Sequence, residues 1–455
     1  MSAQPKGVPR LPATTPASRG FPGVGIALGL AAAGLTAAAG FAADKLNRER
    51  RLALALDETV TIDPFHEEPD EEYVVRTDDG VDLHVAVDHA RDVDGEPLED
   101  PTRPTVVLCH GYCLSLRAWV FQRRALREAG YRVVLFDLRG HGRSGMGDRD
   151  SYDVDQLGRD LAHVLEAVVP EGPIVLVGHS MGGMTMMALA LERPEVIAER
   201  VVGAAFVATS PGNLAEATYG IGRVAGRLVH RLVGPTTGLL SGRQGLVDGT
   251  IKVGRDVVDL FVDWGSFGSP VPMSVAQLTT DMIFGTRMEV ISAFMPRFDD
   301  LDKREALAQF DGIETLVFSG MEDRLTPPDH SEEIVRLVPG AEHVLVANAG
   351  HVIMLEHPEL LTEHLLDLIR RAQRAASQAE AAPSASAARQ GRGRRTVTDV
   401  SAARRAAAAR RRDARRRSSR LPERLTVVRE RAERSRRRAG QGADTTPEPR
   451  EQEQG

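Results

Sequence analysis

The chain has 455 residues, of which 42% are apolar, a net charge of −7 and only two cysteines, Cys109 and Cys113. That length and apolar share allow a sizeable core, and two cysteines exclude a disulfide framework and a cysteine-built zinc site. No internal repeat runs through the sequence, which excludes a solenoid or propeller.

The first element is Gly20 to Ala43, 24 residues without a charge, bracketed by Arg19 and Asp44. As one helix it is long enough to span a bilayer, and Gly25-x-x-x-Gly29 offers a small-residue face for helix pairing. A cleaved signal peptide followed by secretion is the alternative, since Lys6, Arg10 and Arg19 precede the stretch and small residues close it. The run exceeds the usual signal core of about 7–15 residues, which favours an uncleaved single-pass membrane anchor. Residues 1–19 read as disordered and 44–71 as a linker. Three basic residues precede the segment and four follow it (Lys45, Arg48, Arg50, Arg51), too even a split to orient it firmly. Free thiols and a basic tail lean towards a cytoplasmic catalytic domain.

Pro104 to Cys109 reads as a buried strand, and His110-Gly-Tyr-Cys113 turns out of it. The cysteines straddle this turn without Cys-x-x-Cys spacing, so free thiols are expected. Gly140-His-Gly-Arg-Ser-Gly145 matches Gly-x-Gly-x-x-Gly, but the polar Met146–Ser151 follows where a dinucleotide fingerprint requires a helix N-terminus.

Next comes Ile174-Val-Leu-Val-Gly-His-Ser-Met-Gly-Gly183, a β-branched run driving into Gly178-His-Ser-Met-Gly182 and then a helix-forming segment. Gly-x-Ser-x-Gly at a strand-to-helix junction is a nucleophile elbow. The turn is so tight that glycine is favoured two residues either side of the serine.

Residues 212–303 read as a helical cap, with apolar residues at helical spacing in 221–233, 246–262 and 275–294. Its Phe and Met content (Phe261, Phe267, Met273, Met282, Phe284, Met288, Phe294, Met295), with Trp264, serves first as the cap's own core and suits an apolar acyl chain. Glu314 to Ser319 is then a strand, Gly320-Met-Glu-Asp323 its loop, and Pro327-Pro-Asp-His-Ser331 opens a helix. Val344 to Ala347 is the last strand, followed by Asn348-Ala-Gly-His351 and a helix from about Ile353. Asp323 competes with Glu322 and Asp329 for the acid, and its place after a strand and a glycine favours it. His351 competes with His343, in or before a strand, and His357, in the following helix.

The order Ser180, Asp323, His351 is the triad order of one fold. In it His351 takes the serine proton, while Asp323 fixes the imidazole tautomer and stabilises its charged form. Backbone N–H groups of Tyr112 and Met181 are the candidate oxyanion donors. His110, His141 and His179 read as loop braces, with Gly111, Gly178 and Gly182 allowing close approach. No cluster of His, Cys and carboxylates suggests a metal, and no cofactor is expected.

From about Glu72 to Arg371 the chain resembles an α/β-hydrolase fold protein of the esterase, lipase and cofactor-free haloperoxidase branch. The resemblance rests on His110-Gly-Tyr-Cys-Leu-Ser115 with Trp119, Asp137-Leu-Arg-Gly-His-Gly-Arg-Ser144, Gly178-His-Ser-Met-Gly182, Asp323 and Gly350-His351. It implies an α/β fold with a mostly parallel eight-stranded sheet flanked by helices and a helical cap inserted between strands 6 and 7. The site is expected at the carboxyl ends of the strands. Haloperoxidase-like members carry an aromatic-Pro pair where Tyr112-Cys113 stands, which favours plain ester hydrolysis. Ser180 argues against epoxide hydrolase and dehalogenase (aspartate there) and dienelactone hydrolase (cysteine there). A small-molecule ester or lipid is the expected substrate. Perhydrolase, thioesterase or lysophospholipase activity, or an inactive membrane-bound scaffold, are the alternatives.

Beyond Arg371 the sequence reads as a disordered tail, 372–455, with Ser377 to Ala388 as a linker. Arg389 to Arg438 holds 20 Arg against five acids, a net +15 that leaves −22 for everything else. Such an arm is a solvated tail or a contact for anionic lipid headgroups. It lacks aromatics for stacking on bases, which argues against nucleic acid.

Overall fold

The computed structural model describes residues 65–92, 94–98, 100, 102–214, 262, 265–381 and 395–399. The expected anchor at 20–43, the cap helix at 221–233, nearly all of 246–262, and the tail beyond 399 lie outside these residues. Among the described residues, no helix is long and apolar enough to cross a membrane.

The described chain forms one nine-stranded sheet. Strands β1 (Glu71–Arg76) and β2 (Asp82–Asp88) pair antiparallel. Strand β2 also runs antiparallel to β4 (Val133–Phe136). The remaining strands, β3 (Thr105–Cys109), β5 (Ile174–His179), β6 (Val201–Val207), β7 (Glu314–Gly320), β8 (Glu342–Ala347) and β9 (Arg395–Asp399), run parallel with β4 in the order β4-β3-β5-β6-β7-β8-β9. The central strands are buried on both faces, which is why they read as continuous apolar runs. On one face Val107, Cys109 and Leu176 join a cluster with helices α2 (Val154–Val168) and α3 (Met181–Glu192). On the other, Val106, Leu108, Val175 and Val177 pack with α1 (Val120–Glu128), α8 (Ile353–Glu356) and α9 (Pro358–Ala381). Short α4 (Pro194–Arg200) leads into β6, and α7 (Pro328–Leu337) connects β7 to β8.

The chain leaves β3 for β4 on one side and returns to β5 on the other, so the loops after β3 and β5 diverge from neighbouring strands. Cys109 pairs with Gly178 at this point. A divergence of this kind opens a crevice at the carboxyl ends of the strands.

Three sequence expectations are corrected. The expected helix over 275–294 is two, α5 (Met273–Gly285) and α6 (Met288–Phe294), because the chain turns extended at Thr286 after Gly285. The catalytic-domain boundary at Arg371 falls inside α9, which continues to Ala381. Leu361, Leu365, Leu368, Ile369 and Ala372 carry its buried stripe, and the Ala, Gln, Arg and Ser residues that follow, up to Ala381, are tolerated in a helix. The eight expected strands are all present, but 395–399, expected within the disordered tail, forms a ninth on the open edge of β8. Its Arg-Thr-Val-Thr-Asp sequence is β-branched at three successive positions, and an unpaired strand edge recruits such a segment.

Candidate active site

Ser180 stands between β5 and α3 with φ 50° and ψ −119°, a backbone conformation that costs an L residue on the order of 1–3 kcal/mol. The surroundings hold it there. Its N–H donates to the Val207 carbonyl (3.0 Å), and its own carbonyl accepts from Thr209 Oγ1 (2.6 Å) and the Gly183 N–H (2.9 Å). The flanking glycines are steric requirements. A Cβ on Gly178 would lie 2.5 Å from the Gly182 carbonyl oxygen, and one on Gly182 would lie 2.2 Å from that of Cys109.

Asp323 leaves the end of β7 and is 4% exposed. One carboxylate oxygen accepts from the N–H groups of Leu325 and Thr326, both at 2.9 Å. The other accepts from Thr326 Oγ1 (2.9 Å) and faces His351 Nδ1 at 2.9 Å. The loops carrying Asp323 and His351 are joined by the Glu322 N–H to Ala349 carbonyl bond of 2.9 Å. The two candidates named from the sequence as acid and histidine are thus brought within hydrogen-bond distance of each other. Ser180, His351 and Asp323 all sit at carboxyl ends of parallel strands. Among the described residues, Ser180 Oγ makes no hydrogen bond to His351, a contact that often tightens only when substrate is bound. The competitors lie elsewhere: His343 is inside β8, and His357 follows α8 rather than lying within a helix, because Pro358 interrupts the expected helix there.

The loop after β3 comes directly against the elbow. A Cβ on Gly111 would sit 2.5 Å from His179 Nδ1 and 3.1 Å from Ser180 Cβ. His110 braces it: Nε2 accepts from the Leu138 N–H (2.9 Å), which leaves the proton on Nδ1 to donate to the Gly111 carbonyl (2.8 Å). Met181 opens α3, so its N–H has no helical acceptor. Tyr112 packs its ring against Phe294 and Phe298, centroids 6.1 and 5.3 Å away, and its hydroxyl donates to the Ile291 carbonyl at 2.7 Å. The loop is thus tied to the cap.

Burial holds the surrounding histidines neutral. His141 is lowered to about 3, chiefly by burial and then by nearby His110. His179 is held well below the usual histidine value, first by burial and then by the charge His351 would carry. Cys109 and Cys113 are free thiols, and burial pushes Cys113 up to about 12, so neither is a reactive thiolate. Asp137 keeps its charge despite burial, because His84 and the amides of Arg143 and Leu116 hydrogen-bond it. These bonds tie the Asp137–Ser144 loop to β2 and to the segment after β3.

His179, one of the expected loop braces, donates from Nε2 to the His351 carbonyl (2.9 Å). One contributor has no place in the sequence analysis: Glu356, 4% exposed, accepts the Gly350 N–H (2.7 Å). A lone carboxylate inside the apolar run Val352-Ile-Met-Leu-Glu-His357 was the available signal, since a buried carboxylate must be paired.

The chain is 28% identical over 279 residues to the sn-1-specific diacylglycerol lipase ABHD11 of Mus musculus, covering 57% of this chain and 79% of that one. It is 26% identical to a 2-hydroxy-6-oxononadienedioate/2-hydroxy-6-oxononatrienedioate hydrolase of Burkholderia vietnamiensis, covering 66% and 95% respectively. Among solved structures, an esterase from Exiguobacterium antarcticum superposes with a TM-score of 0.51 at 19% identity, covering 66% of this chain and 100% of that one. A bromoperoxidase from Bacillus anthracis superposes with a TM-score of 0.50 at 22% identity and the same coverages. At such identities these structures show the fold. Residues 106–364, more than half the chain, match the sequence profile of the alpha/beta hydrolase family. With the sheet order and elbow described above, the chain belongs to that family.

Proposed function

We propose that this chain is a serine hydrolase cleaving carboxylic esters with apolar acyl groups, through an acyl-enzyme on Ser180. The observation that carries this reading is the buried Asp323–His351 pair at 2.9 Å, on the same edge of the sheet as the strained Ser180 elbow. Ser180 Oγ attacks the ester carbonyl carbon and its proton passes to His351 Nε2, with Asp323 holding Nδ1–H and stabilising the imidazolium. The N–H groups of Tyr112 and Met181 receive the oxyanion, one such donor being worth about 2.7–4 kcal/mol in the transition state. His351 returns the proton to the leaving alkoxide, and the alcohol departs. Water, deprotonated by His351, then attacks the acyl-enzyme, releasing the carboxylic acid and restoring Ser180.

Two features support an apolar acyl group. Tyr112, Phe294 and Phe298 pack together as an aromatic cluster that makes the junction of the loop after β3 with the cap apolar. The mouse relative's name is that of a diacylglycerol lipase. A lipid ester also suits Gly20–Ala43 as a membrane anchor and the Arg-rich run as a contact for anionic headgroups, each basic residue contributing about 1 kcal/mol near a surface. A chain-length series of nitrophenyl esters, run on the full chain beside Ser180→Ala, tests the proposal. Turnover that rises with acyl length and vanishes in the variant is expected; activity confined to short, polar esters overturns the apolar substrate.

A further inference from the structure

Three consecutive residues of the loop bearing His351 are each held by a different part of the molecule. The Gly350 N–H donates to Glu356 Oε2 at 2.7 Å, the His351 carbonyl accepts from His179 Nε2 at 2.9 Å, and the Val352 N–H donates to the Ser266 carbonyl at 2.8 Å. Glu356 does more than hold Gly350. Its Oε1 accepts from the Ser269 N–H (2.5 Å) and Ser269 Oγ (2.6 Å). The Gly268 N–H is shared between the two oxygens at 3.1 and 3.2 Å. One buried carboxylate thus gathers three backbone amides and a hydroxyl from two segments, Gly268 lying 88 residues before it in sequence. The two backbones also touch: a Cβ on Gly350 would lie 2.6 Å from the Gly268 nitrogen.

We infer that Glu356 is a positioning residue, whose carboxylate locks the 266–269 segment of the cap insertion onto the His351 loop. Docking of the cap and placement of the imidazole are then set by one group. The inference rests on the proposed function. An ionised carboxylate is suited to this place because every one of its partners here is a donor. Glutamine has nearly the same shape but replaces one acceptor oxygen with an NH2 donor. In either amide orientation it sets that donor against an N–H, from Gly350 on one side or Ser269 on the other. A shift of about 1 Å in a catalytic group can cost around a hundredfold in rate, so this small change reaches the chemistry through His351.

The test compares the full-length wild type, Glu356→Gln and Ser269→Ala in fluorophosphonate labelling and nitrophenyl ester turnover, with circular dichroism and melting recorded for each. The expected result for folded Glu356→Gln is a fall of about tenfold or more in kcat and in maximal labelling rate, with KM within about threefold. Should Glu356→Gln fail to fold, Ser269→Ala decides. That variant removes one of the four donors, and a fall in kcat of about two- to fivefold at unchanged KM is expected. A folded Glu356→Gln with wild-type kcat and only a lower melting temperature overturns the inference, as does an unaltered kcat in Ser269→Ala. A folded wild type that takes no label overturns the proposed function and this inference together; a labelled wild type with an unimpaired Glu356→Gln overturns this inference alone.

Discussion

The Tyr112 hydroxyl donates a 2.7 Å hydrogen bond to the Ile291 carbonyl, joining the loop after β3 to helix α6 of the cap. The residue whose N–H is proposed to receive the oxyanion is therefore anchored through its side chain to the cap. Tyr112→Phe keeps the ring against Phe294 and Phe298 but removes one of the two donors to the Ile291 carbonyl, leaving it the Met295 N–H. A loss of about 1 kcal/mol in unfolding free energy, read from urea titration, and a lower kcat are expected.

Gly111→Ala tests the approach of that loop to the elbow. Its Cβ would lie 2.5 Å from His179 Nδ1 and 3.1 Å from Ser180 Cβ, so the loop must retreat. Displacing the Tyr112 N–H by this route should lower the labelling rate by about a hundredfold in protein that still folds. An active Gly111→Ala protein would argue that the oxyanion donors lie elsewhere.

Acid should destabilise the fold through its buried neutral histidines. His141 and His179 both have folded values depressed below the ordinary 6.5. The unfolded chain binds protons at these sites first, so their stabilising contribution is present above about pH 6.5 and is lost as pH falls. Each contributes a slope of about 1.4 kcal/mol per pH unit below that point until its folded form titrates. Urea titrations at pH 7.5, 6.5 and 5.5 should show stability flat and then falling; no loss by pH 5.5 would contradict the neutral, buried assignment.

The tail divides at Asp399. A chain ending at Ala381 loses β9 and bares the β8 edge, so it should aggregate more readily than one ending at Asp399. Deletion of 400–455 should leave the fold intact. In a chain also lacking 1–43, it should weaken binding to phosphatidylserine vesicles, and unchanged binding would remove the headgroup role.

The candidate site was legible in the sequence where local sterics impose the pattern. Gly178 is required by a backbone contact within the elbow and Gly182 by the approach of the Cys109 carbonyl, and Asp323 and His351 each follow a recognisable strand. Glu356 was hidden because its partners at 268 and 269 belong to a distant segment, and no spacing rule links them. β9 was missed because its arginine-rich surroundings outweighed a short Thr-Val-Thr run, whose pairing depends on the open edge of β8. The break between α5 and α6 went unread because apolar spacing continues across Thr286 while the backbone does not.

The most direct measurement is mass-spectrometric mapping of fluorophosphonate on the full-length protein beside Ser180→Ala. A single adduct on the peptide bearing Ser180, absent from the folded variant, is the predicted result. A folded wild type without an adduct, or one modified at another residue, would contradict the assignment of Ser180 as the nucleophile.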